Sequence, residues 1–310
     1  MLKLNIKNRI GSNLNNGEIK ILIAAKLKNK SFIFFIIAVI IMLTLVIAFI
    51  DSNIRIVTTE YIIYYPNLPE AFDGFRIVVI SDLHGYEFGR NNEYLIKHTT
   101  EAEPDIIVIT GDLIDEYGTP PLPLQFEVAE ALVKEVVQIA PVYFVTGNHD
   151  WATKELPALK TILEAHNVII LQNSYVLLKS GSQTIILAGT DDPNGPADMI
   201  KPREFVRKTR AEEGNGFIII LEHRNRNIRL YSELGVDLVL SGHAHGGIIR
   251  LPFTDGLIAS RHDILPRYAS GINTMGTTNM VVSRGLGSPF LWMRLFNNPE
   301  VVVVELRVGV

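Results

Sequence analysis

The stretch "FRIVVISDLHG", residues 75–85, sets a short run of β-branched and aromatic residues directly against an acid and an imidazole one position apart. A run of this length and composition predicts a buried strand, so Asp82 and His84 fall at its carboxyl end. The arrangement recurs along the chain. "DIIVIT" (105–110) leads into "GD" with Asp112, and "PVYFVT" (141–146) into "GNHD" with Asn148, His149 and Asp150. "GFIIIL" (216–221) is followed by "EH" with His223, and "VDLVL" (236–240) by "SGHAHGG" with His243 and His245. Five of the eight histidines lie in these loops, which is too orderly for scattered packing histidines.

Between the runs lie helical stretches near 92–101, at 125–139 ("QFEVAEALVKEVVQI") and near 153–165. Short apolar runs alternating with helices predict βαβ units and parallel strands. Further strands are expected at "QTIILAGT" (183–190), "NMVVS" (279–283) and "EVVVVELRV" (300–308). No repeat of fixed period and no low-complexity linker interrupts them, so residues 51–310 form one α/β domain. Open α/β sheets gather their sites beyond the carboxyl ends of the strands, and the five loops are expected to meet in one crevice. In extended backbone, residues i and i+2 share a side, which would aim His243 with His245 and Asp82 with His84.

The assembled donors are Asp82, His84, Asp112, Asn148, His223, His243 and His245, an oxygen and nitrogen set without sulfur. Such a set suits Mn, Fe, Zn or Co better than Ca. Seven donors exceed what one such ion takes, whereas two ions sharing the Asp112 carboxylate use them all. Paired divalent ions clamp the attacking and leaving oxygens of an in-line displacement at phosphorus and acidify a water into a hydroxide nucleophile. His149 remains as proton donor to the leaving oxygen, and Asp150 is expected to orient its ring. The expected chemistry is phosphoester hydrolysis.

Residues Phe32–Ile50, "FIFFIIAVIIMLTLVIAFI", carry no charge over nineteen positions. As a helix they would be about 28 Å long, close to the bilayer core. A buried core helix would show a polar face, and none exists; a cleaved signal peptide would have a shorter apolar region and a small-residue cleavage site. An uncleaved transmembrane helix is therefore expected at 32–50, after a basic tail at 1–31. Seven basic residues and only Glu18 precede it, so the tail is cytoplasmic and the catalytic domain lies outside the cytoplasm, tethered to the cell membrane by a single pass. The whole chain is −4 and those first fifty residues +6, which leaves −10 for the rest. An acidic ectodomain argues against nucleic acid as a partner. The absence of cysteine excludes disulfides, thiolate metal sites and a thiol nucleophile.

In this order, "SDLHG", "GD", "GNHD", a histidine after an apolar strand and "GHAHGG" resemble the calcineurin-like metallophosphoesterases. The flanking "LPEAFDGFRIVVISDLHG", "AGTDDP", "SRGLG" and "NNPEVVVVEL" resemble its bacterial membrane- or wall-associated phosphodiesterase branch, close to UDP-diacylglucosamine pyrophosphatases. The resemblance covers Tyr61 to Val308. It implies a four-layer α/β/β/α sandwich, with Asp82, His84, Asp112 and His245 on one ion and Asp112, Asn148, His223 and His243 on the other. His149 would protonate the leaving group of a phosphate ester, and the membrane-associated branch implies a lipid-linked or envelope one. "RNRN" after His223, and Ala244 and Ile248 within "GHAHGGII", depart from the pattern beside the substrate groove without removing a donor. An extracytoplasmic nuclease, a cyclic-nucleotide phosphodiesterase and a catalytically silent anchored binding protein are the competing functions; the last would lack donors or His149.

His98, His166 and His262 are expected to be surface or packing residues, and Asp191 and Asp192 turn formers. Arg284, Arg224 and Arg226 could each grip phosphate or simply be solvated. Loops 113–124 and 253–277 are where specificity is expected.

Overall fold

The computed structural model describes residues 16–250, 256–258, 264–288 and 293–309. The chain divides into two compact units, Met1–Ala48 and Phe49–Val310. Helix α1, Asn16–Ile54, exceeds the expected apolar helix at both ends. The preceding "IKILIAAKLKNK" lacks an apolar period but consists largely of good helix formers, which let the helix propagate beyond the uncharged run. Within α1, Ile23–Ile54 is long and apolar enough to cross a membrane, and none of its most apolar window is buried.

Two six-stranded sheets build the second unit. The first has the order β1 (Val57–Tyr65), β14 (Glu300–Val308), β2 (Arg76–Ile80), β3 (Ile106–Ile109), β4 (Val142–Phe144) and β5 (Ile169–Ile170). The second runs β12 (Gly271–Met275), β13 (Thr278–Val282), β9 (Leu238–Ser241), β8 (Ile218–Leu221), β7 (Gln183–Gly189) and β6 (Ser174–Ser180). Strands β2 to β5 pair in parallel, as do β7, β8, β9 and β13, while β6 and β12 are antiparallel edges. A small antiparallel pair, β10 (Ile249–Arg250) with β11 (Gly256–Ile258), lies outside them. Strand β1 begins at Val57, only two residues after α1 ends at Ile54.

The period of two along each strand sorts side chains between layers. Ile77, Val79, Val108, Val302 and Val304 of the first sheet pack against Leu187, Ile219, Leu221, Leu238 and Leu240 of the second. The alternate residues Val78, Ile80, Ile107, Ile109 and Phe144 meet helices α2 (Glu93–Glu101), α3 (Leu122–Val136) and α5 (Leu156–Ala165), the last following the short helix α4 (Asn148–Ala152). Beyond the second sheet, Ile218, Ile220 and Val239 meet α6 (Pro202–Glu213) and α7 (Ile228–Glu233). The result is the α/β/β/α sandwich. Because strands buried on both faces need apolar residues at every position, these read as continuous runs rather than alternating ones.

Leu187 has no exposed surface and fills the layer between the sheets. Leu187→Ala is expected to cost about 2–5 kcal/mol through lost burial and the cavity left behind, read as a lowered denaturation midpoint of this unit.

Candidate metal centre

Parallel strands place their carboxyl ends on one edge, and the five loops do meet there. The pairwise expectation about their backbone was wrong. Asp82, His84, Asp112, His243 and His245 have φ of +54°, +51°, +55°, +70° and +48°, a left-handed conformation rather than an extended one. Side-chain residues reach that region at a cost of about 1–3 kcal/mol each, so the surroundings must over-determine it. They do so with backbone bonds between the loops. The amide of Asp82 donates to the Gly111 carbonyl at 3.0 Å, that of His84 to Asp112 at 3.0 Å, and that of Gly287 to Asp82 at 2.7 Å. The His243 amide donates to the Asp82 carboxylate at 3.1 Å. Gly242 is required by close approach, since a Cβ there would fall on Ser81 Oγ and Asp82 Oδ2.

The side chains so aimed converge. His245 Nε2 stands 3.5 Å from Asp82 Oδ1 and 3.3 Å from His84 Nε2. His84 Nε2 is 3.8 Å from Asp112 Oδ2, which is 3.1 Å from His223 Nε2. His223 Nε2 also faces His243 Nδ1 and Asn148 Oδ1, each at 3.1 Å. Asp82, His84 and His245 form one group able to hold a metal ion and Asp112, His223 and His243 another; His84, Asp112 and His149 satisfy the same geometry between them. All seven expected donors are buried, and they meet in one place.

The donor chemistry fits cations. Asp112 Oδ2 is buried at the junction of the two groups, facing imidazole nitrogens of both. Ring nitrogens that face each other at 3.1–3.3 Å cannot both present lone pairs without something positive between them. Without an ion the group must resolve this with protons. Burial opposes charge on His223, but the neighbouring Asp112 carboxylate, helped by Asp82 and Asp192, outweighs it and holds the pKa at about 10. Burial, followed by the charge on His223, pushes His243 down to about 2.

His149 stands at the edge of this centre, its side chain 12% exposed. Its Nδ1 is 2.6 Å from Glu116 Oε2, leaving Nε2 unencumbered. Asp150 does not take the part expected of it. Its carboxylate accepts the amides of Asp112 and Gly147 at 2.8 Å and of Ile114 at 3.2 Å, so it ties the two loops together and turns away from the imidazole. Burial, reinforced by the Asp112 charge, raises its pKa to about 6. Position i+1 to His149 on a helical turn points elsewhere; the partner comes from the "GDLIDE" loop across the site. That loop also supplies Asp115, whose Oδ2 faces His84 Nδ1 at 3.6 Å. Two carboxylates three and four residues beyond Asp112 were the only signal for this in the sequence.

The arginines divide. Arg224 is engaged bidentately by Asp192 at 2.7 and 2.9 Å, and Arg284 pairs with Glu300 at 2.9 Å, so both are held by carboxylates rather than free to grip phosphate. Asp192 is thus an anchor for Arg224 as well as a turn residue. Asp191 accepts from Thr146 Oγ1 and, at 2.8 Å, from Trp151 Nε1, tying the strand ends of the two sheets together. His98 and His166 sit outside the centre, against Thr58 and Glu130. His262, with residues 253–255 and 259–263 of loop 253–277, lies outside the described residues.

A family profile described as calcineurin-like phosphoesterase matches residues 75–247. The chain is 30% identical over 257 residues to the uncharacterized metallophosphoesterase YkuE of Bacillus subtilis, covering 81% of this chain and 85% of that protein. It is 28% identical to the phosphodiesterase YaeI of Escherichia coli, over 75% of this chain and 82% of that one. A transmembrane protein with metallophosphoesterase domain from Danio rerio is 29% identical over 77% of this chain and 55% of its own length. The profile spans every loop of the centre described above, and the chain belongs to the calcineurin-like phosphoesterase family of metal-dependent phosphoester hydrolases.

Proposed function

We propose that this chain is a membrane-anchored phosphodiesterase or pyrophosphatase whose dinuclear centre is held by Asp82, His84, Asp112 and His245 on one side. On the other side it is held by Asp112, Asn148, His223 and His243. The observation that carries the reading is Asp112 Oδ2, buried where the two donor groups meet, 3.8 Å from His84 Nε2 and 3.1 Å from His223 Nε2. A nitrogen and oxygen donor set without sulfur suits Mn, Fe or Zn. Two such ions supply charge neutralisation on the transferring phosphoryl group and acidity for the attacking water.

The chain's own residues do the rest. Asp82 and Asp112 are locked by amides of facing loops, so the donor atoms are positioned before any ligand arrives. His149 gives a proton from Nε2 to the leaving oxygen, while Glu116 at Nδ1 fixes the orientation of the ring. Asp150 holds the turn that carries Asn148 and His149 against the Asp112 loop.

Residues 1–31 serve as a basic cytoplasmic tail, 32–50 as the anchor and 51–310 as an extracytoplasmic catalytic domain at the cell membrane. The seven basic residues ahead of the apolar run support that orientation. Only two residues separate α1 from β1, which keeps the catalytic unit near a lipid surface. The substrate accordingly is a lipid-linked or envelope phosphate, in the manner of a UDP-diacylglucosamine pyrophosphatase.

The test is hydrolysis of bis-p-nitrophenyl phosphate by the full chain in detergent, with Mn, Zn or chelator, followed by a nucleotide-linked diacyl sugar and a cyclic nucleotide. Activity that survives exhaustive chelation ends the metal reading. Turnover of the cyclic nucleotide but not of the lipid-linked compound ends the envelope reading. Metal affinity should also depend on pH. The metal-free centre holds a proton on His223 up to about pH 10, and that proton must leave before Nε2 can coordinate. Affinity should therefore rise with pH, by up to about tenfold per unit below that value, and a titration between pH 6 and 8 showing a flat or falling affinity would contradict it.

A further inference from the structure

The last turn of α1 and the segment before β14 are stitched together by side chains that no catalytic role explains. Asn53 Nδ2 donates to the Arg294 carbonyl at 2.9 Å, and the Arg294 amide returns a bond to Asn53 Oδ1 at 3.2 Å. The hydroxyl of Ser52, 1% exposed, accepts the Asn297 amide at 3.3 Å. Asn298 Nδ2 donates to the Asp51 carbonyl at 2.9 Å.

What these residues hold in turn lies at the centre. The Arg294 guanidinium is buried and donates to the carbonyls of Arg284 at 2.9 Å and Gly287 at 2.6 Å. The amides of Leu286 and Gly287 donate to the carbonyls of Ser81 and Asp82, at 3.0 and 2.7 Å. Asn297, with no exposed surface, donates through Nδ2 to the carbonyl of His245 at 2.7 Å and of Ile248 at 3.2 Å. Two chains of hydrogen bonds, cross-linked where Arg294 Nη1 donates to the Asn297 carbonyl at 3.5 Å, thus start at Ser52 and Asn53 and end on the backbones of His245 and Asp82. Both of those residues have positive φ, a conformation that persists only where neighbours impose it. The other group is reached only one bond further on, where the Asp82 carboxylate accepts the His243 amide at 3.1 Å.

We propose that Ser52 and Asn53, in the last turn of the apolar helix, are positioning residues for one ion of the pair, the one on the Asp82, His84 and His245 side. The helix end is then part of the metal centre's scaffold as well as a tether, and a catalytic fragment cut after Asn53 would hold that ion weakly. This rests on the ligand assignment proposed above.

The full chain in detergent is compared with Ser52→Ala, Asn53→Ala and the double variant, with Asp82→Asn as the reference for loss of that ion. Manganese occupancy is read by stepwise calorimetric titration and by the spin-coupled dinuclear signal in electron paramagnetic resonance. Each single variant should weaken one of the two binding steps about threefold to tenfold, and the double variant more, with the other step unchanged. The residual pattern should approach that of Asp82→Asn. Ser52→Thr, which keeps the hydroxyl, should recover most of the affinity. Two unchanged steps in the double variant would overturn the inference while leaving the ligand assignment intact. Equal weakening of both steps would overturn it too, because the stitching would then support the whole domain. If the double variant fails to fold, the single variants decide by the same criteria. A parent chain that retains no manganese would instead end the ligand assignment itself.

Discussion

Asp112→Asn is expected to remove phosphodiesterase activity by about 10³-fold or more and to release bound metal. The change is nearly isosteric, so packing is preserved and the effect isolates charge. Asp112 Oδ1 accepts the His149 amide at 2.8 Å, and an amide side chain can still do so through its oxygen. Oδ2 has no such partner and lies between His84 and His223. Replacing that oxygen with an NH₂ group presents protons where cations should sit. Several kcal/mol of charge stabilisation are lost, which corresponds to three orders of magnitude at about 1.4 kcal/mol per decade. The measurement is kcat/KM together with metal content by elemental analysis. A variant that keeps both ions and more than a tenth of the activity would show that Asp112 does not bridge. The apoprotein should also be less stable near neutral pH. In the metal-free centre burial opposes the Asp112 charge, but His223 outweighs it and holds the carboxyl well below the usual range, so the substitution breaks a buried pair at a cost of about 3–5 kcal/mol.

His149→Gln should show a different signature. A general acid matters in proportion to how poor the leaving group is, so methyl or other alkyl phosphodiesters should slow by about 10²–10⁴-fold and p-nitrophenyl esters by far less. Metal content should stay at the parent level. Glu116→Gln should follow the same leaving-group trend at smaller amplitude, because the amide oxygen still accepts from Nδ1 but holds the ring less firmly than a carboxylate. Asp150→Asn, by contrast, should slow all substrates alike and lower stability, since its oxygens accept three loop amides. A uniform slowing by His149→Gln across leaving groups would remove the general-acid role and favour direct participation of this imidazole in the centre, which its proximity to His84 and Asp112 permits.

The contrast between Asp150 and Glu116 shows where sequence reading reached its limit. Asp150 adjoins His149 in the chain, yet successive residues at the start of α4 diverge, and the carboxylate turns into the loop below. Glu116 is thirty-three residues away in sequence and arrives because the β3 and β4 loops are neighbours in the sheet. The same holds for the pairs spaced by two. Their convergence was legible, but the reason expected for it was not. Asp82, His84, His243 and His245 meet through left-handed turns braced across loops, not through strand alternation. Arg224 and Arg284 had looked equally suited to phosphate or to solvent; only their carboxylate partners decided between these.

By itself the sequence determined which segments are buried strands, that five of them end in donors, and that an uncharged apolar run precedes them. These are local properties: apolar run length and β-branching respond to burial wherever it occurs, and a strand's end is readable from where the run stops. Tertiary structure alone decided which carboxylate faces which imidazole, that one Asp112 oxygen lies between His84 and His223, and that Ser52 and Asn53 reach the backbones of Asp82 and His245 through residues some 240 positions away. Side-chain pairing across loops depends on sheet order and on backbone torsions that neighbouring segments impose, and no spacing along one segment encodes them.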